Sequence, residues 1–226
     1  MIEVLGVKKR YRRKQVIEDV SFTANKGEIT CLIGLNGTGK STLLKGIMGL
    51  TPFDKGSVLI DGKPIDLNRV AFVADHAMFP IHFTIEQCEA FMKDFYPTFD
   101  SALFARLVED FKLFPEDKLS ELSKGTLAKA NLALGIAQDP DYLLLDEPFS
   151  GIDVFSKEQI VELFSSEIME SRGVLITTHE IEDIEYLIDK AVMLNNGRIV
   201  REFDVEDVRF IHGKSIVDVM REEYGA

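Results

Sequence analysis

"GLNGTGKST", residues 34–42, packs three glycines and a lysine into nine positions, a composition that suits either a flexible turn or a cradle for phosphate. The flanks decide between them. Upstream, "EITCLIG" (28–34) is continuously apolar, as a strand buried on both faces is. Downstream, "STLLKGIMGL" (41–50) sets Leu43, Leu44, Ile47, Met48 and Leu50 at helical spacing. Strand, glycine loop and helix together meet the pattern G-x-x-x-x-G-K-[ST] at Gly34, Gly39, Lys40 and Ser41. In such a loop the backbone N–H groups of Gly34, Asn36, Gly37, Thr38 and Gly39 curl inward. The following helix turns its positive end to the same anion. Lys40 then reaches outer phosphates, Ser41 offers a hydroxyl to Mg²⁺, and Thr42 stands near an inner phosphate.

A cradle needs a metal anchor and a handler for the attacking water. "YLLLDE" (142–147) offers both at the end of an apolar strand. Asp146 is the candidate to hold Mg²⁺ through its water shell, and Glu147 the candidate to polarise the water. An Asp-Glu pair at a strand end is also a common solvated loop start.

Bulk properties narrow the classes. With 26 Lys and Arg against 38 Asp and Glu, the net charge of −12 opposes general binding to a phosphate backbone, so no nucleic-acid partner is expected. The two cysteines, Cys31 and Cys88, have no metal-site or disulfide spacing and read as buried thiols. No apolar run approaches the roughly 20 residues that span a bilayer. The first residues, "MIEVLGVKKR", lack the apolar region of a signal peptide. A cytoplasmic chain is expected.

Along the chain, "IEVLGV" and "VIEDVSFTA" are strand-like, and Asp61-Gly62 signals a hairpin turn. Residues 78–138 turn helical, with Pro97 and Pro115 as breaks. Beyond them "DYLLLDE", "GVLITT" and "KAVMLNN" are strand-like runs separated by helical segments, the alternation of a parallel α/β sheet. A single domain over 1–226 is expected: an α/β core with a β subdomain from 1–77 and 139–226, and an inserted helical subdomain at 78–138.

With these motifs in order, the chain resembles the nucleotide-binding subunit of ATP-binding cassette (ABC) transporters over nearly its whole length. "LSKGT" (122–126) is similar to that family's signature, commonly LSGGQ; "SGID" (150–153) to the loop that touches a partner subunit; and "TTHE" puts His179 where the family has a switch histidine. Tyr11 matches the aromatic that stacks on adenine. The resemblance implies a P-loop NTPase of the ABC ATPase fold, with a mainly parallel core sheet, an antiparallel β subdomain and a helical insertion. It also implies an ATPase using ATP and Mg²⁺. Two such subunits, identical or different, would sandwich two nucleotides, each between one cradle and the other subunit's Ser123, Lys124, Gly125 and Thr126. Ser150, Gly151 and Asp153 would lie at the dimer contact, and an integral membrane subunit would hold the pair to the inner face of the membrane. Read from the residues alone, positions 123–126 offer a hydroxyl and free N–H groups at a helix start, or simply an N-cap. His179 ends an apolar strand, where a histidine is often structural.

Three departures stand out. Lys124 replaces the usual glycine and Thr126 the usual glutamine. The family's metal-reaching glutamine is replaced by Asp75, followed by His76. Asp75 is a further candidate metal contact, or a solvated loop residue. That acidic residue and "DFYPTFD" (94–100) resemble exporters of antibiotics and peptides. The basic run "KKRYRRK" around Tyr11 suits a nucleic-acid arm in isolation and a turn between strands in context. The alternative functions are a soluble ABC ATPase acting on nucleic acid or the ribosome, and a small-molecule kinase. Only 83 residues separate Lys40 from Ser123, little room for the long coiled-coil arms of the first. The kinase leaves "LSKGT" and "SGID" unexplained.

Overall fold

The computed structural model describes residues 1–12 and 14–225, so Arg13 of the basic run lies outside the described residues. Among the described residues ten strands form one sheet: β1 (Ile2–Tyr11), β2 (Lys14–Ala24), β3 (Ile29–Ile33), β4 (Lys55–Ile60), β5 (Lys63–Pro64), β6 (Val70–Val73), β7 (Tyr142–Asp146), β8 (Gly173–Thr177), β9 (Lys190–Asn195) and β10 (Arg198–Asp204). Their spatial order is β5-β4-β1-β2-β10-β9-β3-β8-β7-β6. From β9 through β3, β8 and β7 to β6 every pairing is parallel. β1 pairs antiparallel with β2 and β4, and β4 with β5 across the expected turn, where Asp61 and Gly62 both take positive φ, 52° and 72°. The parallel alternation stops at β9. Asn196 and Gly197, also at positive φ, turn the chain back into β10 antiparallel to β9, a strand the apolar runs did not announce.

Because strand side chains alternate faces, each core strand feeds two cores. On one face Cys31, Ile33, Ala71, Val73, Leu143, Leu145, Ile176 and Met193 join buried residues of α2 (Ile85–Phe95), α3 (Ser101–Asp110), α4 (Lys124–Ala137) and α5 (Val154–Phe164). Later helices close the same core: α6 (Glu167–Glu170), α7 (Ile181–Ile184), α8 (Val205–His212) and α9 (Ile216–Tyr224). On the other face Leu32, Tyr142, Leu144, Leu175 and Val192 meet Leu43, Leu44 and Ile47 of α1 (Lys40–Ile47) and the apolar side of β1 and β2. No helix among the described residues is long and apolar enough to cross a membrane.

The inserted helices start where side chains replace missing backbone partners. Thr84 and Gln87 form a reciprocal cap on α2, Asp100 caps α3 and Ser123 caps α4. Ten of the 14 residues of α4 are buried, so it lies between the helical layer and the sheet with no free polar face. Cys31 and Cys88 are buried, and burial pushes both thiols up to about 12, as expected for inert core residues.

Leu144 is fully buried in β7, the strand that delivers Asp146. Leu144→Ala removes apolar contacts in a layer flanked by strands on both sides, and should destabilise the chain by about 2–5 kcal/mol. Urea unfolding measures it; a loss under ~1 kcal/mol would mean the α1 side of the sheet is loosely packed.

Candidate functional site

The loop between β3 and α1 closes around its own backbone. Gly37 and Gly39 sit at φ 80° and 108°, conformations that L side chains rarely adopt, and these turn successive N–H groups to one side. Gly34 is needed for space instead, since a Cβ there would lie 2.7 Å from Leu194 O. Thr38 Oγ1 donates to Leu35 O at 2.8 Å and staples the turn. Lys40 is buried, and its Nζ donates to Gly34 O at 2.7 Å, across the mouth of the loop. Burial lowers the ammonium's pKa, opposed by the charges of Glu147 and Asp146.

The structure brings Ser41 and Asp146, the residues expected to anchor a metal, into contact. Ser41 Oγ donates to Asp146 Oδ1 at 2.9 Å, and Thr177 Oγ1, at the end of β8, donates to the same oxygen at 2.8 Å. Asp146 is buried, which removes the solvated-loop reading. A hydroxyl beside a carboxylate, with no thiolate or imidazole in contact, suits Mg²⁺, which keeps waters and takes few protein ligands when phosphate oxygens share the shell. Among the described residues no cluster of three His, Cys, Asp or Glu forms an all-protein metal cage.

Glu147 follows in the left-handed region at φ 52°, unusual for a non-glycine residue. The turn is held by its N–H, which donates to Thr177 O at 3.0 Å and Thr177 Oγ1 at 3.1 Å. Its carboxylate meets His179 twice: Oε1 is 3.0 Å from the ring Nε2, and Oε2 accepts the His179 N–H at 3.1 Å. Burial raises the Glu147 pKa, and His179 and Lys40 oppose the rise. Asn36, Gly37, Gly39, Lys40, Ser41, Thr42, Glu147 and His179 line one cavity of about 250 Å³.

The remaining candidates lie around this centre. Tyr11 is 46% exposed at the tip of the β1–β2 hairpin, under the Lys9 ammonium at 5.5 Å. Asp75 does not touch Ser41 or Asp146; its Oδ1 pairs with His76 Nδ1 at 2.7 Å, and it shares a cavity of about 30 Å³ with Glu147, Lys124 and Ser150. At 123–126 the expectation of free donors is corrected in part. Ser123 Oγ is bonded to Thr126 Oγ1 at 2.8 Å and accepts the Thr126 N–H, because a helix start needs its own cap. In the loop of Ser150, Gly151 and Asp153, the Asp153 carboxylate caps α5, accepting from Ser156 N and Oγ at 2.9 and 2.8 Å.

Two contributors were missed from sequence. Val16 lines the cavity because Ile17 and the Val16 carbonyl press on Gly39, at 2.6 and 3.1 Å from a Cβ built there. Thr177, in "TTHE", orients both Asp146 and the Glu147 turn; the β7–β8 register that pairs it with Asp146 exists only in three dimensions.

Known proteins resemble this chain in sequence and in fold. The family model described as "ABC transporter" matches residues 17–150. The ABC transporter ATP-binding protein YtrB of Bacillus subtilis is 34% identical over 191 residues, 82% of this chain and 65% of YtrB, so the chain spans about two thirds of that relative. The manganese transport system ATP-binding protein MntB of Listeria innocua is 29% identical over 83% of this chain and 84% of its own. The Nod factor export ATP-binding protein I of Burkholderia orbicola is 35% identical over 83% and 66% respectively. A solved structure of the ATP binding subunit of an ABC transporter superposes with TM-score 0.87 at 27% identity, covering 98% of both chains.

A carboxylate whose folded pKa is raised contributes stability below its unfolded pKa and loses it as pH rises through the folded value. Ionised Glu147 is therefore a net cost at neutral pH. In the nucleotide-free chain Glu147→Gln should raise Tm at pH 7–8, with the gain shrinking as pH falls toward about 4.5. A gain that grows on acidification would reverse the sign assigned to Glu147.

Proposed function

The chain belongs to the ABC transporter family and has its ATPase cassette fold, a P-loop α/β core with a mixed sheet, and from that premise we propose that it binds and hydrolyses ATP to drive a separate membrane subunit. The observation that carries the reading is one cavity lined by the phosphate loop, Ser41, Glu147 and His179, with Asp146 buried behind it and bonded to Ser41. Loop N–H groups take the β- and γ-phosphates, and Lys40 leaves Gly34 O for a phosphate oxygen. Ser41 and Asp146 would hold Mg²⁺, which when bound would neutralise charge on the phosphates. Glu147 orients a water and takes its proton as the water oxygen attacks the γ-phosphorus and the bond to ADP breaks. His179 keeps both Glu147 oxygens aimed. Tyr11 stacks on the base.

In this reading a second cassette completes the site, with the partner subunit's Ser123 and the N–H groups of the following helix start facing the γ-phosphate. Attraction at a helix start amounts to about 0.3–2 kcal/mol per charge, so it adds specificity to a phosphate already held by the cradle. Support for a membrane partner comes from an apolar groove of about 270 Å³ beyond the Asp75 loop, lined by Met48, Leu50, Met78, Phe79 and Phe91. Leu50 is 63% exposed, and Phe91 stacks on the exposed Phe95 at 4.4 Å. The cassette would sit on the cytoplasmic face through that partner. For cargo we favour export of an antibiotic or peptide on the strength of Asp75 and "DFYPTFD". The relatives' names span manganese transport and Nod factor export, so direction needs a transport assay in vesicles with the membrane subunit.

Two variants test the chemistry. Lys40→Ala should weaken ATP binding and abolish turnover. Glu147→Gln should keep binding but lower kcat by about 10²–10⁴, and ATP should shift it to a dimer on size exclusion. Wild-type hydrolysis by the first would sink the cradle assignment; no ATP-dependent dimer with the second would sink the sandwich.

A further inference from the structure

One buried side chain in α4 fits poorly with its surroundings. Asn131 is 2% exposed in a helix whose neighbouring positions Ala130, Leu132, Ala133 and Leu134 are all apolar and buried. Its Nδ2 donates to His76 O at 3.0 Å and reaches Ala74 O at 3.5 Å, while its Oδ1 is buried with no hydrogen-bond partner. Turning the amide over would set an oxygen against two carbonyls, acceptor to acceptor, so the chemistry fixes which end donates. An unmet buried acceptor is a cost to stability. What the amide gains is a grip on the carbonyls on both sides of Asp75.

That grip joins two pieces of the site. The Asp75 side chain is itself half exposed, and its polar contact is His76, equally outside the core. The position of Asp75 is therefore set through the backbone. Seven residues before Asn131, about 10 Å along the axis, α4 begins with Lys124, Gly125 and Thr126. One turn after it, Gly135 lies so close to β6 that a Cβ would come 2.7 Å from Val73 Cγ2. Helix, strand end and Asp75 loop are thus clamped at two successive turns, one by packing and one by the amide.

We propose that Asn131 is a positioning residue that fixes Asp75 on the same rigid body as residues 123–126, so that the reach of Asp75 toward the metal and the aim of the helix start are set together. This rests on the reading of Asp75 as a metal-reaching residue. Leucine has the branching of asparagine without its polar atoms, so Asn131→Leu removes both the grip and the unmet acceptor; Asn131→Ala serves where leucine disturbs packing.

In the nucleotide-free full chain, Asn131→Leu should exchange the amides of residues 74–78 about tenfold faster, with α1 unchanged and Tm equal or higher. In hydrolysis the Mg²⁺ concentration for half-maximal rate should rise about threefold, as in Asp75→Asn, with KM for ATP unchanged, and the double variant should go no further than either single one. Unchanged exchange at 74–78 in both variants overturns the proposal. So does a wild-type Mg²⁺ dependence of Asn131→Leu beside a shifted Asp75→Asn, or full additivity of the two. A wild-type Mg²⁺ dependence of Asp75→Asn itself rejects the reading of Asp75, and the role of Asn131 falls with it.

Discussion

Everything at the site hangs on one oxygen. Asp146 Oδ1 accepts a hydroxyl from Ser41 at the start of α1 and another from Thr177 at the end of β8. The two donors lie 136 positions apart in the numbering, and they meet because β7 pairs in parallel with β8 in a register that sets Asp146 opposite Thr177. A slip of one residue would turn Asp146 to the other face of the sheet and bury Glu147 in its place. The continuous apolar runs of the central strands guard against that slip, since each strand must match two cores at once.

The same arrangement concentrates unfavourable charge. Lys40, Asp146 and Glu147 are withdrawn from water at the strand ends, and Glu147 also occupies a backbone region that disfavours its side chain. Partners limit the cost: two hydroxyls for Asp146, two contacts from His179 for Glu147, and a loop carbonyl for Lys40. The Lys40 contact is the one that a phosphate would displace. Stability elsewhere, above all in the two layers flanking β7 and β3, carries a centre that is poorly stable in itself.

Much of this was legible in the chain. The loop at 34–42 and the Asp146-Glu147 pair were readable as local patterns with a chemical reason, whereas His179 stood out only through the family resemblance, since a histidine ending an apolar strand is often structural. The cap at Ser123 was one of the two local readings of "LSKGT", while the caps at Thr84 and Asp100 went unread. Contributions that depend on register or on another element were not readable. Val16 reaches the cavity only because β2 crosses Gly39, and Thr177 matters only through its place beside Asp146. Asn131 looked like one more position in a buried helix, and its link to residues 74 and 76 spans the whole insertion. β10 is a different kind of miss, since Asn196-Gly197 is a hairpin signal and "RIVREFD" alternates apolar and polar as a half-exposed strand does.

The irregular residues of "LSKGT" become intelligible from contacts within one chain. A Cβ at Gly125 would lie 2.5 Å from Ser156 Oγ and 2.9 Å from Asp153 Oδ2, so only glycine lets the start of α4 rest on the cap of α5. No such restriction holds at 124. The Lys124 side chain extends over Gly151, with Nζ 3.3 Å from where a Cβ of that glycine would be, and so covers the exposed "SGID" loop. Lysine here raises rather than lowers the positive potential at the helix start, and the first turn of α4 holds no acidic residue to offset it. For a helix that only had to be stable this is the wrong charge at the wrong end. Under the proposed two-cassette reading, in which this helix start would meet a phosphate from outside its own chain, it is the favourable sign, and Ser123 and Thr126, bonded to each other, keep the turn closed.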